Sequence, residues 1–203
     1  RGNLKPEVFM GHTRKSTSGS NAWASAHPHE VNNRYVQTHN GVIKNIWALC
    51  LKHGVNHTQI HVDSIGLAHI IEKDGFDVLH EYEGYASLTM TFKDDPGALY
   101  LYHGKSKEFK TGEAIEERPL FLLETAEGIY YSSMKASLDF INESTKVKPF
   151  VLNHNCVFKL VNGEITKFRY HVNREENNAG KSTVYYGHGG GSCAANAFTN
   201  RGR

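Results

Sequence analysis

Cysteine is scarce in this chain of 203 residues: there are three, at positions 50, 156 and 193. An odd number spread so widely argues against a disulfide framework and against a four-cysteine zinc site, and it favours a reducing, cytoplasmic setting. Long apolar runs are also lacking. None approaches the roughly 20 residues needed to span a bilayer, so no membrane association is expected. The opening residues, RGNLKPEVF, lack the shape of a secretory leader. Neither sign of charge prevails, since 23 Lys and Arg stand against 21 Asp and Glu. With no basic block or stripe, nucleic acid is not an expected partner. Internal repeats are absent, and the two glycosylation-type triplets, at Asn56 and Asn142, are short enough to arise by chance.

Apolar residues make up 39% of the chain, including ten Tyr, ten Phe and two Trp, which suffices for a packed core. The length suits one domain, or two only if both are small. Pro6–Met10 reads as the end of a strand, and residues 16–33 as loop from their Ser, Asn, Gly and Pro content. Arg34–Thr38 alternates like a short strand. From Val42 to His53 the apolar spacing predicts a helix stopped by Gly54. A second helix is expected over Asp63–Lys73, capped by Asp63 or Ser64 and followed by Gly75.

Beyond Gly84 the texture turns to strands: Tyr85–Phe92, Ala98–His103, Pro119–Glu124, Gly128–Ser132, Phe150–Asn153, Cys156–Val161 and Glu164–Val172. Asp94-Asp95-Pro96-Gly97 makes a turn, Asn162-Gly163 a tight hairpin, and Met134–Ile141 a short helix. Helices early and antiparallel strands later indicate an α+β protein with two sheets. Residues 1–172 form the expected domain, and 173–203 a polar, Gly-rich tail or linker.

The densest chemistry lies in residues 11–45, where Gly11-His12-Thr13-Arg14 and His39-Asn40-Gly41 bracket a loop rich in Ser, Gly, Asn and His. An arginine fork grips a carboxylate in a two-pronged, charge-assisted pair. An asparagine amide and a glycine N–H can stabilise the oxyanion that develops during acyl transfer. Such a set suits a small zwitterionic or carboxylate-bearing ligand whose carbonyl is attacked. Taken singly, each signal has a plainer reading. A lone arginine is more often a surface residue, Asn-Gly a turn, and an aspartate opening a helix its cap.

Taken in order, the motifs resemble the glutaminase domain of the class II glutamine amidotransferases, which are N-terminal-nucleophile hydrolases. Gly11–Arg14, Ala26-His27-Pro28-His29 and His39–Asn45 look like the glucosamine-6-phosphate synthases of that family. Arg14–Ser20 is closer to its phosphoribosylpyrophosphate amidotransferases. Asp63-Ser64 opening a helix, Gly84-Tyr85-Ala86 and Ser132-Ser133 before a short helix fit the rest of the domain. The similarity covers roughly residues 8–168. It implies a four-layer α/β/β/α sandwich that hydrolyses glutamine to glutamate and ammonia, without a cofactor.

Carried onto this sequence, the resemblance implies that Arg14 holds the α-carboxylate of glutamine and Asp63 its α-ammonium group. Asn40 and Gly41 would form the oxyanion hole, with Thr17 lining the pocket and His39 bracing the loop. Lys15 stands where the family commonly has a bulky aromatic. The family's nucleophile is a cysteine at the start of the mature chain, with its own α-amino group as base. That amine titrates at about 7.7–8.0, close to working pH. Here the nucleophile is expected in a segment ahead of Arg1, together with an ammonia-acceptor domain or subunit, within a larger assembly. Alternatively it has been lost, and the fold serves as a binding or assembly module.

Cys50 and Cys156 read as core, and Cys193 has no base near it in sequence. The thirteen histidines invite a metal reading through His27 and His29 with His39 or His61, but their spacing matches no standard zinc motif, and no metal is expected. The tail's GHGGGS is weak as a phosphate cradle.

Overall fold

A computed structural model of the chain describes residues 8–13, 25–56, 58, 60–105 and 118–171. Among the described residues, nine strands form two antiparallel sheets, joined by three helices and a 3₁₀ turn at Gly75–His80. The fold is α+β. Among the described residues, no helix is long and apolar enough to cross a membrane.

The larger sheet has the order β1-β2-β3-β4-β8-β9, built from His29–Val31, Tyr35–Ile43, Gly84–Phe92, Ala98–Lys105, Cys156–Val161 and Glu164–His171. The smaller has the order β6-β5-β7, from Gly128–Ser132, Phe121–Thr125 and Phe150–Val151. Helices α1 (Ile46–Lys52) and α2 (Asp63–Asp74) follow β2, and α3 (Lys135–Thr145) follows β6. The β8–β9 hairpin turns at Asn162 and Gly163, with φ of 52° and 75°. Positive φ at both positions matches strand twist, as Asn-Gly foretells.

The alternation of side chains along each strand separates two cores. On β4, Ala98, Tyr100 and Tyr102 join a cluster that includes Leu49 of α1 and Leu67, Ile70 and Ile71 of α2. Leu99 and Leu101 point the other way, packing with Phe158 and Leu160 of β8 and Leu122 of β5. The large sheet is therefore covered by α1 and α2 on one face and meets the small sheet on the other. Fully burying a Leu or Phe side chain stabilises by about 1.5–3 kcal/mol, so both layers of packing are substantial.

Four elements differ from the sequence reading. Residues 8–13 form neither helix nor strand, although a strand end was expected over Pro6–Met10. The region read as loop contains β1, which pairs with β2 through His29↔Gln37 and Val31↔Tyr35. Strand β2 runs to Ile43, so Val42 and Ile43 belong to it and α1 begins only at Ile46. The ladder to β3 continues through Gly41↔Ala86 and Ile43↔Gly84, and this pairing overrides the apolar period. The chain leaves the sheet at Asn45, whose side chain bonds the Glu81 carbonyl and the Glu83 N–H. Finally, α2 is capped by Val62 in extended geometry, and Asp63 is its first helical residue.

Candidate functional site

On β2 and β3 the face that turns towards the small sheet changes character. Where β4 and β8 present leucine and phenylalanine, these strands present Thr38 and Asn40 opposite Thr89 and Ser87. The Thr38 and Thr89 hydroxyls bond each other at 2.6 Å. The inter-sheet core gives way here to a polar cleft of about 510 Å³. That size suits one small molecule.

Each wall comes from a different stretch of chain. Thr38–Val42 and the start of α2 form one side, together with Tyr85, Ser87 and Thr89 of β3. Arg118, Tyr131, Ser132, Ser133 and Ser137 face them. Gly11, His12 and Thr13 close the rim. The segment carrying these three is tied down by Val8 and Met10, which pack on the inter-sheet core. The Tyr131 hydroxyl donates to the Phe9 carbonyl, and Thr89 Oγ to Met10 Sδ.

Four of the residues singled out in the sequence, His39, Asn40, Gly41 and Asp63, line this one cleft. Arg14 and Thr17 lie outside the described residues, one and four positions after the Thr13 that reaches the rim. Asn40 donates from Nδ2 to Ser133 Oγ at 2.9 Å. At Gly41 any side chain is barred, because a Cβ there would sit 2.1 Å from the Tyr85 carbonyl oxygen.

Asp63 is held from two directions. Its Oδ2 accepts from the Ile43 N–H at 2.8 Å, and its Oδ1 from the Ser64 N–H at 2.9 Å. A carboxylate has about four acceptor positions, so capacity remains for a ligand cation. The N-terminus of α2 also favours its negative charge. Buried His39 turns to the helix side, where Nδ1 lies 3.1 Å from Ser64 Oγ. Burial lowers its pKa, opposed by the charge of Asp63 and the Tyr85 carbonyl. The neutral imidazole is thus the resting form.

The rings of His12, His27 and His29 touch in succession, the first pair tilted by 55° and the second edge to face at 76°, with centroids 4.1 and 4.3 Å apart. Nδ1 of His27 accepts the His39 N–H at 3.4 Å, so the cluster braces β2. Among the described residues, no group of three or more His, Cys, Asp or Glu is arranged to hold a metal ion. Cys50 and Cys156 are buried, form no disulfide among the described residues, and do not line the cleft, while Cys193 lies outside the described residues.

Several cleft residues escaped the sequence reading. Ser87 and Thr89 carry a signal in hindsight, as polar positions alternating with Ala86, Leu88 and Met90. Arg118, whose guanidinium lies 5.7 Å from the centre of the Tyr85 ring, has none. Nor does Tyr131, whose phenol is pushed up by burial.

No family model matches the chain. It is similar to glutamine–fructose-6-phosphate aminotransferase (isomerizing) of Pyrococcus horikoshii, 29% identical over 173 residues, which covers 71% of this chain and 29% of that protein. The protein of the same name from Methanosarcina mazei is 27% identical over 168 residues, covering 67% of this chain and 26% of the relative. The chain thus spans less than a third of the length of these relatives. By this similarity and by the order of its motifs, it resembles the class II glutamine amidotransferase domain that glucosamine-6-phosphate synthases carry.

Proposed function

We propose that the chain is a glutaminase domain of the class II, N-terminal-nucleophile type, with the four-layer α/β/β/α sandwich of that group. The observation that carries this reading is the meeting of Asn40, Gly41 and Asp63 in one cleft whose rim is the Gly11-His12-Thr13 segment leading to Arg14. The chain's similarity to the two aminotransferases supports it. The α/β/β/α order is supported by α1 and α2 covering one face of the large sheet and by the small sheet packing on the other. Two buried cysteines outside any disulfide among the described residues suit a reducing, cytoplasmic protein.

In this reading glutamine is held at its amino-acid end by Arg14 on the carboxylate and Asp63 on the ammonium group, with Thr17 beside them. A cysteine thiolate attacks the side-chain amide carbon. The carbonyl π electrons move onto oxygen, and the Asn40 amide and the Gly41 N–H stabilise that oxyanion. Collapse expels ammonia, which takes a proton from the catalytic base, and leaves a γ-glutamyl thioester. Water then releases glutamate and regenerates the thiol. His39 keeps β2 in place. The thiol comes from a segment outside these 203 residues, and the ammonia goes to an acceptor domain or subunit whose chemistry is open.

The second reading is a glutaminase-like fold kept as a binding or assembly module, in which no thiol reaches the cleft, as neither Cys50 nor Cys156 does. One experiment separates the two. The natural polypeptide is treated with a glutamine-mimicking electrophile, then assayed for ammonia release and by intact mass. Labelling of one cysteine with loss of glutaminase activity supports the enzyme. A folded protein that is neither labelled nor active supports the module.

A further inference from the structure

We propose that Ser133 is a positioning residue that holds the Asn40 amide with its N–H side towards the reacting carbonyl. The inference rests on the glutaminase reading and adds a residue to it. Ser133 lies in the bend between β6 and α3, 93 residues further along the chain than Asn40, and both line the cleft. The bend itself is braced, since Ser132 Oγ accepts the Met134 N–H at 3.0 Å.

An asparagine amide turns easily about its last torsion, which has a broad, roughly two-fold profile. A half-turn exchanges NH₂ for the carbonyl oxygen. In an oxyanion hole that exchange replaces a donor with an acceptor, so attraction becomes repulsion. In the structure Asn40 turns Nδ2, not Oδ1, to Ser133 Oγ. One of the two Nδ2 hydrogens is spent on Ser133 Oγ at 2.9 Å. The bond fixes the plane of the amide and leaves the second hydrogen for a developing negative charge. It also carries the hold of the small sheet onto a residue of the large one, across the cleft.

Oxyanion stabilisation is felt only after attack has begun, so a loose Asn40 lowers kcat without weakening glutamine binding. The test measures steady-state glutaminase kinetics of the natural polypeptide carrying Ser133→Ala or Ser133→Thr. A parallel ¹⁵N spectrum follows the side-chain NH₂ of Asn40. We expect Ser133→Ala to lower kcat about 10- to 100-fold, with KM within about two-fold. One Asn40 amide proton should shift, and Ser133→Thr, which keeps the hydroxyl, should restore most of the rate. An unchanged kcat in Ser133→Ala, a loss confined to KM, or an Asn40 amide signal indifferent to the substitution overturns the proposal. An unsubstituted protein that releases no ammonia from glutamine overturns the glutaminase reading and this role together, and it does so before any variant is compared.

Discussion

Nδ1 of His39 lies 3.1 Å from Ser64 Oγ, joining the middle of β2 to the first turn of α2. Because burial lowers the imidazole pKa in the folded state, the unfolded chain takes up the proton first as the pH falls below about 6.5. Stability is complete above that value and declines as pH drops towards the folded pKa. Tm should fall between pH 7 and pH 5, and His39→Gln, which does not titrate, should flatten that part of the profile. Thermal unfolding at stepped pH checks this. An equal slope in the variant excludes His39 as its source.

Asn40 offers its amide to the cleft from a strand position next to Gly41. Replacing it with alanine removes one oxyanion donor while leaving the amino-acid clamp intact. The expected outcome is a kcat lower by about 10²–10³ with little change in KM. Asn40→Asp should do worse than alanine, because it sets a negative charge against the oxyanion. Steady-state glutaminase assays decide, and a loss seen mainly in KM contradicts the assigned role.

Asp63 separates binding from chemistry in the opposite sense. Asp63→Asn keeps a similar shape but removes the charge that pairs with the α-ammonium group. A charge-assisted hydrogen bond is worth about 1.5–3 kcal/mol, so KM for glutamine should rise by about 10- to 100-fold with kcat much less affected. Ligands without an α-amino group should bind both proteins alike. Isothermal titration with such a pair of ligands is the measurement, and equal weakening of both would sink the assignment.

Gly41 and Gly84 give a purely steric prediction. A Cβ at Gly84 would lie 1.9 Å from the Val42 carbonyl oxygen, as one at Gly41 would crowd that of Tyr85. Both obstacles are backbone, which cannot swing aside. Gly41→Ala and Gly84→Ala should each cost about 2–3 kcal/mol. Gly75→Ala meets nothing within 4 Å, though its φ is 76°, and should cost about 1–2 kcal/mol. Urea unfolding of the three variants tests the ranking.

Much of the architecture can be read from local pattern. In β3, Ala86, Leu88 and Met90 alternate with Ser87 and Thr89, and Asn162-Gly163 marks the last hairpin. The far end of β2 cannot be read this way. Val42 and Ile43 extend the apolar stripe of α1, and only pairing with β3 assigns them to a strand. Strand β1, at three residues, is too short to show a period. For the cleft, the short motifs around His39 and Asp63 pointed to residues that share it. Arg118 and Tyr131 come from distant chain, and no local rule announces them, while Ser133 was marked only through the family resemblance of Ser132-Ser133 before a short helix.

The span of 93 residues between Asn40 and Ser133 has a consequence for how the protein fails. Neither sheet holds the cleft alone, so any partial opening that lifts the small sheet away dismantles the site while the large sheet and its helices stay intact. Catalytic competence should therefore vanish at milder denaturant than helical circular dichroism, and the gap between those two midpoints gauges how firmly the sheets are docked.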